Sequence, residues 1–328
     1  MLNIVNESTD PRFNLALEEY AINHLHPRGD AVIIWQNEPT VVIGRNQNTI
    51  EEINQAYIEA NGIHVVRRLS GGGAVYHDLG NLNFTYIVPS GPKVITNFRK
   101  FTAPVLKALQ SLGVPAEFSG RNDLTIEGKK FSGNAQYWSK DRLLHHGTIL
   151  FNSDLNVVQA ALRVKPEKLV SKGLKSVRSR VTNIYPYLKE PLSVEEFKQI
   201  LLKHLLQERG HANYLLKDAD LAAINKLRDD RYDQWAWNYG RSPAFEMEKS
   251  RRFSGGQLVL KFNVKRGLIE DLKIYGDFFG RRDVQELAGL LRNTAYEKDT
   301  LRRFLQEVPF VDYFTSISRD EFLECLFD

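Results

Sequence analysis

Apolar positions recur along this chain with two periods, and the changes between them mark most of its elements. Spacing of three and four through Leu15, Leu17, Tyr20, Ala21 and Leu25 predicts an amphipathic helix, with Asp10 ahead of it and Pro11 at its first position. Two short apolar runs follow, 31–35 and 40–44, on either side of Glu38-Pro39, and read as strands. Residues 50–60 read as a helix ended by Asn61-Gly62, residues 63–68, 74–77 and 81–88 as strands, and residues 98–112 as a helix stopped by Gly113. Residues 117–138 are strand-rich around a turn at Glu127-Gly128; 143–151 is a further strand and 154–162 a short helix. The stretch 165–191 has no period, is rich in basic residues and proline, and reads as a mobile loop. Helical spacing returns at 194–207 and 219–228.

Between Ser242-Pro243 and Glu248 the pattern breaks and then restarts. Residues 257–264 and 268–275 alternate around Lys265-Arg266-Gly267, as a hairpin should, and helical stretches fill 282–292, 298–305 and 319–327. The organisation expected is an α+β domain over residues 1–245 and a small α+β domain over 246–328, with no internal repeat or low-complexity tract.

Composition adds exclusions. With 328 residues, 42% hydrophobic and 26% charged, the chain can bury a core without disulfides or a structural metal. Its single cysteine, Cys325, excludes an internal disulfide. The setting Phe322-Leu323-Glu324-Cys325-Leu326-Phe327 reads as the buried side of a last helix rather than a nucleophile. A net charge of +4, spread along the chain, calls for no nucleic acid and is compatible with an acidic protein partner. Residues 1–7 lack a basic leader, and no apolar run approaches the ~18 residues of a membrane span, so no signal peptide or membrane is expected and the cytoplasm is the expected location.

Candidate chemistry concentrates in three segments. Arg67-Arg68-Leu69-Ser70-Gly71-Gly72-Gly73-Ala74-Val75-Tyr76-His77-Asp78 puts three glycines between two strands. Without β-carbons the backbone can approach a ligand and turn N–H groups toward an anion. Arg68 can fork onto a carboxylate or phosphate, and Ser70 can donate a hydrogen bond. The same string also suits a flexible surface loop. It is neither a P-loop nor the dinucleotide fingerprint. In residues 120–135, Lys129 and Lys130 are neighbours in a strand and must face opposite ways; periodicity does not choose between them. Asp123 can meet Mg²⁺ or a nucleotide, or simply close a turn. In His145-His146-Gly147-Thr148 the two histidines likewise diverge, so they do not make a zinc site.

Together these segments resemble the lipoate–protein ligase A family. The resemblance rests on residues 68–81, Asn122-Asp123-Leu124, Lys130-Phe131-Ser132-Gly133-Asn134-Ala135 and His146-Gly147-Thr148 in order, with residues 35–44, Ser179-Arg180-Val181-Thr182-Asn183, Trp237-Asn238-Tyr239-Gly240 and 257–280 around them. It implies a large catalytic domain of mixed sheets flanked by helices, related to biotin protein ligases, and a small accessory domain. It also implies two half-reactions: lipoate and Mg-ATP give lipoyl-AMP, and an acceptor lysine then takes the lipoyl group. Lipoate is the substrate, octanoate a possible competitor for it, and no tightly bound metal or organic cofactor is expected.

By position, Lys130 matches the family's essential lysine. Arg68, Ser70, Gly71, Gly72 and Gly73 match the loop around lipoyl-AMP. Asp123 matches a residue near phosphate and magnesium, and His77, Ser132, Gly133, His146, Gly147 and Thr148 match the same pocket. Lys172, Lys175, Arg178 and Arg180 are candidates for a loop closing over the adenylate. Implied acceptors are lipoyl domains of 2-oxoacid dehydrogenase acyltransferase subunits and the glycine-cleavage H protein. Alternatives are a carrier-to-carrier octanoyl or lipoyl transferase, which would use a cysteine, a non-catalytic relative that binds lipoyl domains, and a biotin ligase, whose G-R-G-R-x-G pattern is absent.

Overall fold

Alternating runs pair into one large sheet in the computed structural model, which describes residues 1–25, 29–91, 97–162, 181–206, 210–239, 247–265 and 267–327. Its strands are β1 (Leu2–Val5), β2 (Ala31–Trp35), β6 (Asn81–Pro89), β7 (Ala116–Ser119), β8 (Asp123–Ile126), β9 (Lys129–Ser139), β10 (Arg142–Leu150) and β11 (Ala212–Leu215). Their order is β11-β1-β2-β6-β10-β9-β8-β7, parallel among the first three and antiparallel from β2 onward. A separate sheet holds β3 (Thr40–Ile43) between β4 (His64–Arg67) and β5 (Val75–His77).

Period two sends alternate residues of the large sheet to two cores. Leu82, Phe84, Tyr86 and Val88 of β6 pack with Phe101, Val105 and Leu109 of the helix Phe98–Ser111 and with Phe197, Leu201 and Leu205 of the helix Val194–Leu206. Ile33, Trp35, Ile87 and Leu144 pack with Leu15, Leu17, Ala21 and Ile22 of the helix Pro11–Asn23. Asp10 caps that helix as expected, accepting from the Arg12 N–H at 2.9 Å.

The structure departs from the periodic reading in three places. The helix expected over 50–60 is split into Thr49–Glu52 and Gln55–Ala60. The Asn54 side chain caps the second piece, and the Asn54 N–H is drawn away to Ala161 O at 2.9 Å. Strands β1 and β11 went unread because each is short, and β11 shows no alternation of burial. The C-terminal hairpin gains a third strand, β12 (Met247–Phe253), whose charged sequence hid it; the sheet is β12-β13-β14, with β13 Gly256–Lys265 and β14 Leu268–Gly276.

The chain forms two compact units. One comprises Met1–Val42, Ile50–Val66 and Val75–Asn238; the other comprises Tyr239–Asp328 together with Ile43–Thr49 and Arg67–Ala74. In the second unit Leu258, Leu260, Phe262, Ile269 and Ile274 form a core with the helices Val284–Leu290, Lys298–Glu307 and Arg319–Phe327. The short segments join it through a Gly276 N–H donating to Asn46 O at 2.6 Å and an Arg45–Asp283 ion pair at 3.5 Å. Among the described residues no helix is long and apolar enough to cross a membrane.

Candidate active site

A β-bulge decides which of the two adjacent lysines turns to the polar face of the sheet. Along β8 and β9 the register pairs Asp123 with Gly133, Leu124 with Ser132, Thr125 with Lys130 and Ile126 with Lys129; Phe131 is skipped. Strict alternation would put Lys129 on the face of Gly133. The extra residue shifts the phase, so that Lys130, opposite Thr125, shares its face with Gly133, opposite Asp123. Phe131 goes to the core and is fully buried. The Lys130 ammonium lies 2.7 Å from Asp123 Oδ1. Both side chains keep some exposure, so the pair is worth only about 0–1 kcal/mol of stability, and its main consequence is position. On the same face the Gly133 N–H donates to Thr148 Oγ1 at 3.2 Å.

Beside it the sheet carries a buried polar row. Thr85 of β6 pairs with His146 of β10, Asn83 with Thr148, and Ala135 of β9 with His146. His146 Nδ1 is 2.9 and 3.0 Å from the two carboxylate oxygens of Glu18, which reaches in from the helix Pro11–Asn23. The Thr85 hydroxyl donates to Glu18 Oε1 at 2.5 Å and accepts from Trp35 Nε1 at 2.9 Å. Glu18 thus holds the His146 ring by its Nδ1 edge and ties it to Thr85 and Trp35. The His77 ring sits edge-on to Trp35, 6.0 Å between centroids, with Nδ1 3.1 Å from Asn37 Nδ2.

The opposite face receives the other members of the same motifs. His145 is buried among the rings of Phe84, Phe98 and Phe101, and burial drives its pKa well below the usual histidine value, so it stays neutral. Ser132 accepts from Asn134 Nδ2 at 3.2 Å on this side. A β-carbon on Gly147 would lie 2.2 Å from Asn134 Oδ1 and 2.5 Å from the Phe84 ring, so that glycine answers to packing. Among the expected pocket residues of this unit, then, Lys130, Asp123, Gly133, Thr148 and His146 come together on one face of the large sheet, Ser132 and Gly147 lie on the other, and His77 belongs to the separate sheet, against Trp35 and Asn37.

The glycine loop belongs to the second unit. Arg68 draws it tight: Nε donates to Ser70 Oγ at 3.0 Å, and Nη2 to the carbonyls of Gly71 at 2.7 Å and Gly73 at 2.8 Å. A β-carbon on Gly71 would fall 2.4 Å from Phe278 O, while one on Gly73 would meet nothing within 4 Å. Gly72 has φ +91, a conformation that favours glycine, and a β-carbon there would crowd Arg68 Nη2 at 3.0 Å and the Phe279 ring at 3.2 Å. Gly71 and Gly72 therefore serve close packing, and Gly73 is the member whose flank is open. Arg67 turns the other way. Its guanidinium donates to the carbonyls of Gly44, Arg45 and Gln47 and to Thr49 Oγ1, and burial lowers its pKa to about 10.

Comparison with known proteins places this geometry. Residues 10–206 match the lipoyl protein ligase A/B catalytic domain, and residues 242–326 match the bacterial lipoate protein ligase C-terminus. The chain belongs to the lipoate–protein ligase family. It is 48% identical to the lipoate-protein ligase LplJ of Bacillus subtilis over 331 residues, covering all of both chains. It superposes on P. falciparum LipL1, crystallised in complex with lipoate, with a TM-score of 0.81 at 26% identity, over 99% of this chain and 97% of that one. A lipoate-protein ligase A crystallised with ATP gives a TM-score of 0.64 at 26% identity, over 73% of this chain and 98% of that one.

Against the background of the lipoate–protein ligase family, two further placements matter. Cys325 is buried under β13, its Sγ 3.8 Å from Leu258 O, and burial pushes its thiol up to about 11. A thiol so placed is a poor nucleophile, which removes the cysteine that a carrier-to-carrier transferase would need. Lys172, Lys175, Arg178 and Arg180 lie outside the described residues. The described chain resumes at Val181, which bridges to Lys130, and the Thr182 N–H donates to the Lys130 carbonyl at 2.9 Å.

Sequence reasoning missed Glu18 and Thr85. Glu18 is an acidic residue in a helix whose neighbours set the apolar stripe, and nothing local ties it to His146, 128 positions away. The available signal was a charged residue inside the stripe, since Glu18 stands three positions after Leu15 and three before Ala21; in the structure it is only 4% exposed.

Proposed function

We propose that this chain activates lipoate with ATP and transfers the lipoyl group to a lysine of an acceptor protein. The observation that carries the reading is the Lys130 ammonium, held by Asp123 on the polar face of β9 and β10, in a chain that belongs to the lipoate–protein ligase family over its length. A carboxylate is a poor acyl donor. Attack of its oxygen on the α-phosphorus of ATP forms the mixed anhydride and expels pyrophosphate. The acceptor's neutral amine then attacks the lipoyl carbonyl, AMP leaves with the C–O bond electrons, and the amine's proton is lost to solvent or base. Lys130 is suited to both steps, because a fixed cation stabilises negative charge gathering on phosphate and carbonyl oxygens.

Magnesium enters as part of the nucleotide. Among the described residues no cluster of three or more His, Cys, Asp and Glu side chains forms a cage for a metal. Mg²⁺ that keeps its phosphate and water ligands needs only one or two protein carboxylates, and Asp123 is the carboxylate at Lys130. Acceptors of the proposed activity are lipoyl domains of 2-oxoacid dehydrogenase acyltransferase subunits and the glycine-cleavage H protein, and octanoate is the competing acid.

The test is lipoate-dependent exchange of labelled pyrophosphate into ATP. Exchange without any acceptor protein is expected. Its absence, with lipoyl transfer still proceeding from a lipoylated carrier, would replace this reading with the transferase.

A further inference from the structure

We propose that Gly133 is a positioning residue for the ligase reaction, the seat across which the Lys130 side chain lies. The inference rests on the ligase reading above for its chemical meaning, but its geometric part stands alone. A β-carbon built on Gly133 would lie 2.8 Å from Lys130 Nζ and 3.0 Å from Lys130 Cε, and it would meet no other atom within 4 Å. The backbone at Gly133 is outside the left-handed region, so no conformational demand reserves the site for glycine. Its N–H is engaged by Thr148 and its strand partner is Asp123, both of which a larger residue could keep. Glycine in mid-strand is ordinarily a weakness, since it has no side chain to pack. What it leaves here is room for one ammonium group.

The β-bulge gives this arrangement its reason. By skipping Phe131 it turns Lys130 onto the face of Gly133, three residues along, where an unbroken strand would turn Lys129. The lysine stem then crosses the bare Gly133 backbone, and its ammonium reaches Asp123 on the neighbouring strand at 2.7 Å. A methyl group at 133 would push the flexible end of the lysine aside, breaking the contact with Asp123 while leaving the backbone ladder intact. Gly147, on the other face of the neighbouring strand, is the contrast. There a β-carbon would meet Asn134 Oδ1 at 2.2 Å and the buried Phe84 ring at 2.5 Å, so the fold itself must yield.

The experiment compares Gly133→Ala with the unaltered full-length chain in three measurements, with Gly147→Ala as the control for packing. The first is trace acetylation of the ligand-free protein with acetic anhydride, reading the rates at Lys130 and Lys129 by peptide mass. The second is pyrophosphate exchange, and the third is Tm. In the unaltered chain Lys130, paired with Asp123, should react more slowly than exposed Lys129, and in Gly133→Ala that gap should close. Exchange should lose about tenfold or more in kcat, with KM for lipoate changed by less than about threefold. The Tm should hold in Gly133→Ala and fall in Gly147→Ala. Unchanged labelling with wild-type kcat would overturn the proposal. So would a fall in Tm like that of Gly147→Ala, since the methyl would then be meeting more than the end of a lysine. If the labelling gap closes but neither protein catalyses exchange, the seat stands and the ligase reading fails.

Discussion

Lys129 and Lys130 are chemically identical neighbours, and a single skipped residue in the strand register sends one to solvent and the other to the polar face. The distinction is testable residue by residue. Lys130→Ala removes the cation that would meet developing charge, and loss of exchange by about 10²–10³-fold is expected with Tm little changed, because a half-exposed ion pair adds little stability. Lys129→Ala should leave exchange within about twofold, as an exposed surface change does. Steady-state exchange kinetics on both variants check this, and near-normal turnover in Lys130→Ala would move the essential cation elsewhere. Periodicity divides the pair between two faces without saying which lysine goes where, and only the family resemblance singles out Lys130 in the sequence. Counting by twos assumes an unbroken ladder, and a bulge is a property of two strands together.

The strand β10 shows the same logic at the scale of an element. Its adjacent histidines alternate as the pleat requires: His146 meets Glu18 and His145 goes between aromatic rings. Burial lowers the His145 pKa in the folded chain, whereas in the unfolded chain it titrates near the ordinary value of about 6.5. Below that pH the unfolded state binds a proton that the folded state refuses. The contribution is therefore fully present above pH ~6.5 and is lost as pH falls below it, by up to about 1.4 kcal/mol per pH unit until the folded value is reached. Urea unfolding from pH 7.5 to 5 should show this slope, and His145→Leu should flatten it. An equal slope in the variant would assign it to other groups. That one histidine had to face away from the other was legible from adjacency alone; Phe98 and Phe101, which make the aromatic cage, come from a helix far along the chain.

At the scale of the whole molecule, the glycine loop is a C-terminal concern. Residues 67–74 and 43–49 belong to the same compact unit as 239–328, with Gly71 against Phe278 and Phe279 and Asn46 bonded to Gly276. A chain ending at residue 245 would keep the catalytic motifs in sequence but lose the packing that shapes the loop. Loss of exchange by at least about tenfold is expected, since small misplacements of binding groups carry penalties of that order. Circular dichroism would report whether the large sheet persists, and full exchange by the shortened chain would show that the loop shapes itself.

Taken alone, the sequence determined what near neighbours determine. Alternation set most strands, Asp10 and Pro11 opened the first helix, Gly113 closed another, and adjacency separated Lys129 from Lys130 and His145 from His146. These are consequences of backbone geometry over a few residues. Only the tertiary structure decided what depends on register and on distant pairing: the bulge that turns Lys130 onto the face of Gly133 and Asp123, the carboxylate of Glu18 on His146, and the capture of two N-terminal segments by the C-terminal unit. Such contacts form because packing and buried hydrogen bonds repay the entropy of closing long loops, and no local pattern carries a record of that balance.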